Sequence, residues 1–178
     1  MPNNFNFPDV SVKRAPEDQV MSGQRLNTIT VAGTFDVMHK GHWLLLDEAF
    51  NVSDKVVVGI TTDRFAASMK KPHEIDPYEV RLGEVKKYLG KKGLLSRAKF
   101  FPLDDPYGPS TDDGGIEGIL VSEETEARAE EINQIRVKKG EKPLLIFVMK
   151  MILADDGVPI SSTRVRRQEV DRYGRLIG

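Results

Sequence analysis

The stretch Thr28-Ile29-Thr30-Val31-Ala32-Gly33-Thr34-Phe35-Asp36-Val37-Met38-His39-Lys40-Gly41-His42 changes character twice. Thr28 to Ala32 is a β-branched, apolar run that ends on a glycine, which is the mark of a short strand. Gly33 to Gly41 brackets a polar turn carrying Asp36 and His39. From Gly41, the residues Trp43, Leu44, Leu45, Leu46, Ala49 and Phe50 supply a helix with a buried stripe. The order is strand, glycine-bounded loop, helix. A glycine at each end of the loop lets backbone approach a ligand closely. A helix N-terminus presents free N–H groups and a positive dipole end, which suits phosphate.

The same alternation continues outward. Lys55 to Ile60 (KVVVGI) is a continuous apolar run, as expected of a strand covered on both faces. Asp63 to Met69 reads as a short helix, and Tyr78 to Leu89 as a longer one starting after Pro77. Ala98 to Leu103, Ile119 to Val121 and Leu144 to Met149 supply three further strands. Between the last two lies a helix from Glu123 to Lys139, with Ser122 as its N-cap and Gly140 beyond its end. Ser161 to Val170 reads as the closing helix. Five strands alternating with helices predict an α/β domain with a five-stranded parallel sheet and helices on both faces. Ligands in such sheets sit at the carboxyl ends of the strands, at the point where strand order reverses. The loops after the first, second, fourth and fifth strands are therefore expected to share one site. The domain is bounded at residues 27–178. Residues 1–26 form an extension, in which Phe5, Phe7, Val10 and Val12 offer an added strand and the composition equally suits disorder.

Composition narrows the chemistry. The 178 residues contain no cysteine, so thiol nucleophiles, thiolate metal sites and disulfides are excluded. No run approaches the roughly 20 apolar residues of a membrane span, and no secretory h-region opens the chain. Together these point to a cytoplasmic protein. The net charge of −1 gives no whole-molecule attraction to nucleic acid. Charge is unevenly placed, however. Eight acids and no Lys or Arg lie between Asp104 and Glu126, whereas Arg164, Arg166, Arg167, Arg172 and Arg175 crowd the last 18 residues.

Three other segments carry candidate chemistry. Ile160-Ser161-Ser162-Thr163-Arg164-Val165-Arg166 places hydroxyls at a helix start beside two permanent cations, an arrangement suited to an anion. Lys70-Lys71-Pro72 precedes Pro77-Tyr78-Glu79-Val80-Arg81. Val121-Ser122-Glu123-Glu124-Thr125 opens a helix on which Asn133 and Arg136, three apart, share a face. For His39 and His42 two readings stand side by side: donors to phosphate, or a metal pair completed by Asp36.

The segment Gly33 to His42 resembles the His-x-Gly-His signature of the nucleotidyltransferase superfamily, and Ile160 to Thr163 is similar to that superfamily's C-terminal Ile-Ser-Ser-Thr motif. Lys70-Lys71-Pro72 followed by Pro77 to Arg81 resembles an element of the phosphopantetheine adenylyltransferases. Val121 to Thr125 resembles their archaeal form and the matching domain of eukaryotic CoA synthase, and the ending Glu169 to Arg175 resembles the archaeal tail. The resemblance spans residue 28 to about residue 176. It implies a Rossmann-like nucleotidyltransferase fold and transfer of the adenylyl group of ATP to 4'-phosphopantetheine, with Mg²⁺ accompanying the ATP. Another acceptor (nicotinamide mononucleotide, FMN or a cytidylyl acceptor) or a non-catalytic nucleotide binder is the alternative. Carried onto this chain, the resemblance implies His42, His39 and Thr34 as catalytic. It implies Gly33, Thr34, Phe35, His39, Gly41, His42, Ser161, Ser162, Thr163 and Arg166 around ATP, with Arg164 pointing away. It implies Thr34 and Lys70, or else Lys71, around the acceptor phosphate, and no protein metal site. Bacterial members carry Arg-Gly-Leu-Arg where this chain has Ser122-Glu123-Glu124-Thr125. Arg136 is the expected substitute for the missing triphosphate arginine.

Overall fold

The computed structural model describes residues 10–14 and 25–178. Its strands are β1 (Val10–Arg14), β2 (Leu26–Gly33), β3 (Ser53–Thr61), β4 (Ala98–Leu103), β5 (Gly118–Ser122) and β6 (Leu145–Met149). Its α-helices are α1 (Lys40–Val52), α2 (Asp63–Ser68), α3 (Tyr78–Lys91), α4 (Glu126–Lys138) and α5 (Ser162–Arg166), with 3₁₀ turns at Leu95–Arg97 and Gly108–Thr111.

The sheet order is β1-β6-β5-β2-β3-β4. The five strands expected from the sequence, β2 to β6, are all mutually parallel. A sixth strand, β1, comes from the N-terminal extension and lies antiparallel on β6, pairing Val10 with Met149 and Val12 with Phe147. Phe5 and Phe7 lie outside the described residues.

Period-two alternation sorts each central strand between two cores. Val56, Val58 and Ile60 of β3 face Leu46, Ala49 and Phe50 of α1 and Val85 and Leu89 of α3. Val57, by contrast, joins Ile119, Val121, Ile146 and Val148 under Ala129 and Ile132 of α4. Burial on both faces is why these strands read as unbroken apolar runs.

Strand order reverses between β2 and β5. Only two residue pairs hold these strands together, Ile29 with Gly118 and Thr30 with Ile119. Above Thr30 they part, and their carboxyl ends open a crevice at the switch point.

Two expected boundaries move. α4 starts three residues later than predicted, because Ser122 to Thr125 folds into its own turn. There the Ser122 carbonyl accepts from the Thr125 N–H at 3.0 Å, and Thr125 rather than Ser122 is the N-cap. The closing helix stops at Arg166 instead of reaching Val170. Gln168 adopts a left-handed φ of 58°, which swings Val170 inward to full burial beside Ala154 and Ile160.

Candidate active site

The crevice is a cavity of about 450 Å³ lined from both sides of the switch point. Gly33, Thr34, Phe35, His39, Gly41 and His42 form its floor. Thr61, Phe65, Met69, Lys71 and the loop after β4 (Leu103, Pro106, Tyr107, Pro109, Ser110) form one wall. Ser122, Glu124, Thr125, Arg128, Lys150 to Ile152 and Pro159 to Ser162 form the other. The loop after β4 was not anticipated as part of the site. Its signal is the run Asp105-Pro106-Tyr107-Gly108-Pro109, in which the Asp105 carboxylate accepts from the N–H groups of Tyr107 and Gly108 at 2.8 and 2.9 Å. A self-bonded aspartate turn of this kind presents the tyrosine and prolines as a preformed wall.

The two imidazoles cap α1. The His39 ring accepts from the Gly41 N–H at 3.1 Å through Nδ1, and the His42 Nδ1 accepts from the His39 N–H at 3.3 Å. An accepting Nδ1 carries no proton, so in each neutral ring the hydrogen resides on Nε2. The rings stack at 3.9 Å between centroids. A Cβ at Gly41 would stand 3.0 Å from the His39 ring, tight enough that the ring would have to give way. Burial, reinforced by the charges of Lys71 and Arg172, lowers the pKa of His39 to about 4. Burial likewise lowers His42 well below 6.5, with His39 and Lys71 acting in the same direction and Asp36 opposing. The cavity thus holds two neutral N–H donors. Among the described residues no group of three His, Cys, Asp or Glu side chains is placed to hold a metal ion, and Asp36 is committed elsewhere.

Asp36 is fully buried beneath the floor. Its carboxylate accepts from Arg166 at 2.9 and 2.8 Å and from the Asp76 N–H at 3.0 Å. Burial raises its pKa, but the Arg166 and Asp76 hydrogen bonds and the charges of Arg166 and His73 outweigh that and hold it below the usual value. Its carbonyl accepts from Ser162 Oγ at 2.6 Å. This corrects the expected role of Arg166: its guanidinium is spent on Asp36 and on Asp76 at 3.0 Å, under the loop rather than in the cavity. Arg164 does point away, onto Asp156 and Glu169.

The other expected residues divide. Ser161 and Ser162 line the cavity, whereas Thr163 turns aside to meet His73 Nε2 at 3.1 Å. Lys71 lines the cavity; Lys70, at a left-handed φ of 49°, does not. Of the two candidate lysines it is thus the second, Lys71, that lines the cavity, because the turn at Lys70 faces its neighbour inward. Arg136 is a clear correction. It is 2% exposed and donates to the carbonyls of Lys142, Ser110 and Asp113 at 2.6, 2.7 and 3.2 Å. Asn133, on the same face as predicted, pairs with both backbone groups of Leu144. Both residues hold α4 to its surroundings. The cations that line the wall on the β5–β6 side are instead Arg128 and Lys150.

The profile of the cytidylyltransferase-like family matches residues 30–168. The chain is 46% identical over 154 residues to a phosphopantetheine adenylyltransferase of Methanothermobacter thermautotrophicus, covering 86% of this chain and 92% of the relative. It is 40% identical over 151 residues to the phosphopantetheine adenylyltransferase of Methanosarcina mazei, covering 83% and 96%. Among solved structures, a tyrosyl-tRNA synthetase of Archaeoglobus fulgidus superposes with a TM-score of 0.60 at 14% identity, over 79% of this chain and 60% of that one. That likeness is one of fold.

Proposed function

The chain belongs to the cytidylyltransferase-like family and within it to the phosphopantetheine adenylyltransferases, and we propose that its switch-point cavity is where ATP and 4'-phosphopantetheine react. The enzyme transfers the adenylyl group of ATP to 4'-phosphopantetheine, a step of coenzyme A biosynthesis. The observation that carries the site assignment is the convergence of Thr34, His39, His42, Lys71, Ser161 and Ser162 on one cavity.

In the reaction a phosphate oxygen of 4'-phosphopantetheine attacks the α-phosphorus of ATP. The new oxygen–phosphorus bond forms as the bond to the β-phosphate bridging oxygen breaks. Pyrophosphate leaves with that electron pair, and dephospho-CoA remains. A phosphate monoester is largely ionised at neutral pH, with a second pKa of about 6, so no protein base has to remove a proton. What the protein supplies is position and charge stabilisation. The neutral Nε2–H groups of His39 and His42 donate to the α-phosphate oxygens as their charge develops. Thr34 and Lys71 hold the acceptor phosphate. The wall of Phe65, Met69, Leu103, Pro106 and Tyr107 offers apolar surface to an aliphatic arm. Arg128 and Lys150 provide the positive charge facing the leaving pyrophosphate. Magnesium would travel with the triphosphate, held by phosphate oxygens and water. On this reading the enzyme works in the cytoplasm; separately, no helix among the described residues is long and apolar enough to cross a membrane.

The test is pyrophosphate release from ATP with a panel of acceptors: 4'-phosphopantetheine, nicotinamide mononucleotide, FMN and none. Release with 4'-phosphopantetheine, matched mole for mole by dephospho-CoA, is the expected result. Preference for another acceptor, or no release at all, overturns the reading.

A further inference from the structure

Arg81 is 1% exposed and sits on the buried face of α3 with Val85 and Leu89. Its guanidinium reaches four residues of the chain. Nε donates to the Asp76 carbonyl at 2.7 Å. One terminal nitrogen donates to the Thr34 carbonyl at 2.9 Å and the Thr61 hydroxyl at 3.3 Å. The other meets the Asp63 carboxylate at 3.0 Å. Thr34 follows β2 and Thr61 ends β3, so one planar cation ties together the carboxyl ends of two neighbouring parallel strands.

Asp76 makes this tie reach further. Its N–H bonds Asp36 at 3.0 Å, its carbonyl takes Arg81, and its carboxylate takes Arg166 at 3.0 Å. Its N–H fastens the segment that bears Lys71 directly to the loop that bears Thr34, and its carbonyl and carboxylate reach the same loop through Arg81 and Arg166. That loop needs fastening, because Phe35 and Val37 hold left-handed φ values of 51° and 44°, costly for a bulky and for a β-branched residue.

We propose that Arg81 is a positioning residue for the acceptor phosphate, fixing Thr34 and the Lys71 segment in one frame. The proposal rests on the reading of the cavity given above. Arg81 touches neither substrate; it acts through the Thr34 and Asp76 carbonyls. Its fork geometry matters, since a lysine ammonium is a point donor and cannot span these acceptors in one plane. The wall bearing Lys150, Ser161 and Ser162 takes no bond from Arg81, so the consequence of losing the fork falls on the acceptor side.

The experiment compares R81K, R81A and D63N with wild type. Measured are kcat, KM for each substrate, binding of a non-hydrolysable ATP analogue and thermal unfolding. For R81K, kcat/KM for 4'-phosphopantetheine is expected to fall roughly ten- to a hundredfold, the scale of an ångström-sized misplacement, with ATP-analogue affinity unchanged. D63N, which removes the carboxylate charge and leaves the other three acceptors, should show a smaller defect on the acceptor alone. Methylguanidinium should restore part of the acceptor KM of R81A. If R81A does not fold, R81K and D63N carry the test. Unchanged kinetics in R81K, equal losses on both substrates, or losses that follow the unfolded fraction overturn the proposal. The wild-type row separates this from the functional reading: a wild type inactive on 4'-phosphopantetheine fails that reading, and the variants are then compared on whichever acceptor of the panel turns over. A wild type inactive on every acceptor overturns both.

Discussion

At the scale of single residues, the two imidazoles decide how the site depends on pH. His39 titrates at about 4 in the folded protein against 6.5 ordinarily, and His42 is depressed as well. A folded-state pKa below the unfolded one means that the unfolded chain takes up protons first as pH falls. The stability contributed by the neutral pair is therefore complete above pH 6.5 and is lost as pH falls from there towards about 4. Denaturant titrations across that range should show the loss, and H39Q together with H42Q should remove most of it. A pH-independent stability in wild type would contradict the buried neutral pair. Because both rings act as neutral donors, kcat should show no acidic limb centred on 6.5 from either histidine. Alanine at His42 should lower kcat by about 10²–10³, the cost of losing one preorganised donor, while ATP-analogue binding changes little. Turnover within a few-fold of wild type would remove His42 from catalysis.

At the scale of elements, two arginines that look alike in the sequence do different work. Arg136 locks α4 to the Gly108–Thr111 turn and to the lead into β6 through three backbone carbonyls. R136A takes the partner from the buried Ser110 carbonyl, at about 1–3 kcal/mol for an unsatisfied buried group, and loosens the lead into β6 at Lys142. It should lower the melting temperature markedly and leave KM for ATP unchanged. Arg166 instead braces the cavity floor from below, through Asp36. R166A strands the buried Asp36 carboxylate, a loss of about 3–5 kcal/mol for a broken buried pair, and should also lower kcat, because the loop bearing Thr34 and His39 loses its anchor. Calorimetry and steady-state kinetics on both variants check the contrast. A rise in KM for ATP in R136A without loss of stability would return Arg136 to the triphosphate.

At the scale of the whole molecule, the N-terminal strand closes one edge of the sheet. β1 covers β6, and β6 leads directly into Lys150 and the loop to Ser161. Removing residues before Arg25 leaves the five parallel strands and every described cavity-lining residue in place. Arg25 itself is kept, because together with Arg97 it donates to the Phe50 and Ser53 carbonyls behind α1. Turnover is expected to survive the truncation. The bared edge of β6 becomes a template for strand pairing, so concentration-dependent association should appear by light scattering. A truncated protein that is monodisperse but inactive would show that β1 shapes the cavity as well as the edge.

The sequence by itself determined the α/β class, the five parallel strands, the floor segment Gly33 to His42 and the wall segment Ser161 to Ser162. Those are local signals: periodicity marks an element, and a glycine or a hydroxyl next to it marks a turn or a cap. Only the tertiary structure decided the fate of the charged residues. Arg136, Arg166, Lys70 and Lys71 all stand in plausible places along the chain. The left-handed turn at Lys70 gives the cavity to Lys71, the buried Asp36 claims Arg166, and the carbonyls around α4 claim Arg136. Arg81 was legible only as part of a helix start, Tyr107 only through the Asp-Pro-Tyr-Gly-Pro turn that carries it, and Lys150 had no signal of its own. A long charged side chain can reach ligand, carboxylate or carbonyl from the same sequence position. Which one it takes depends on the partner that lies buried within reach, and that is set by how the strands are ordered in space.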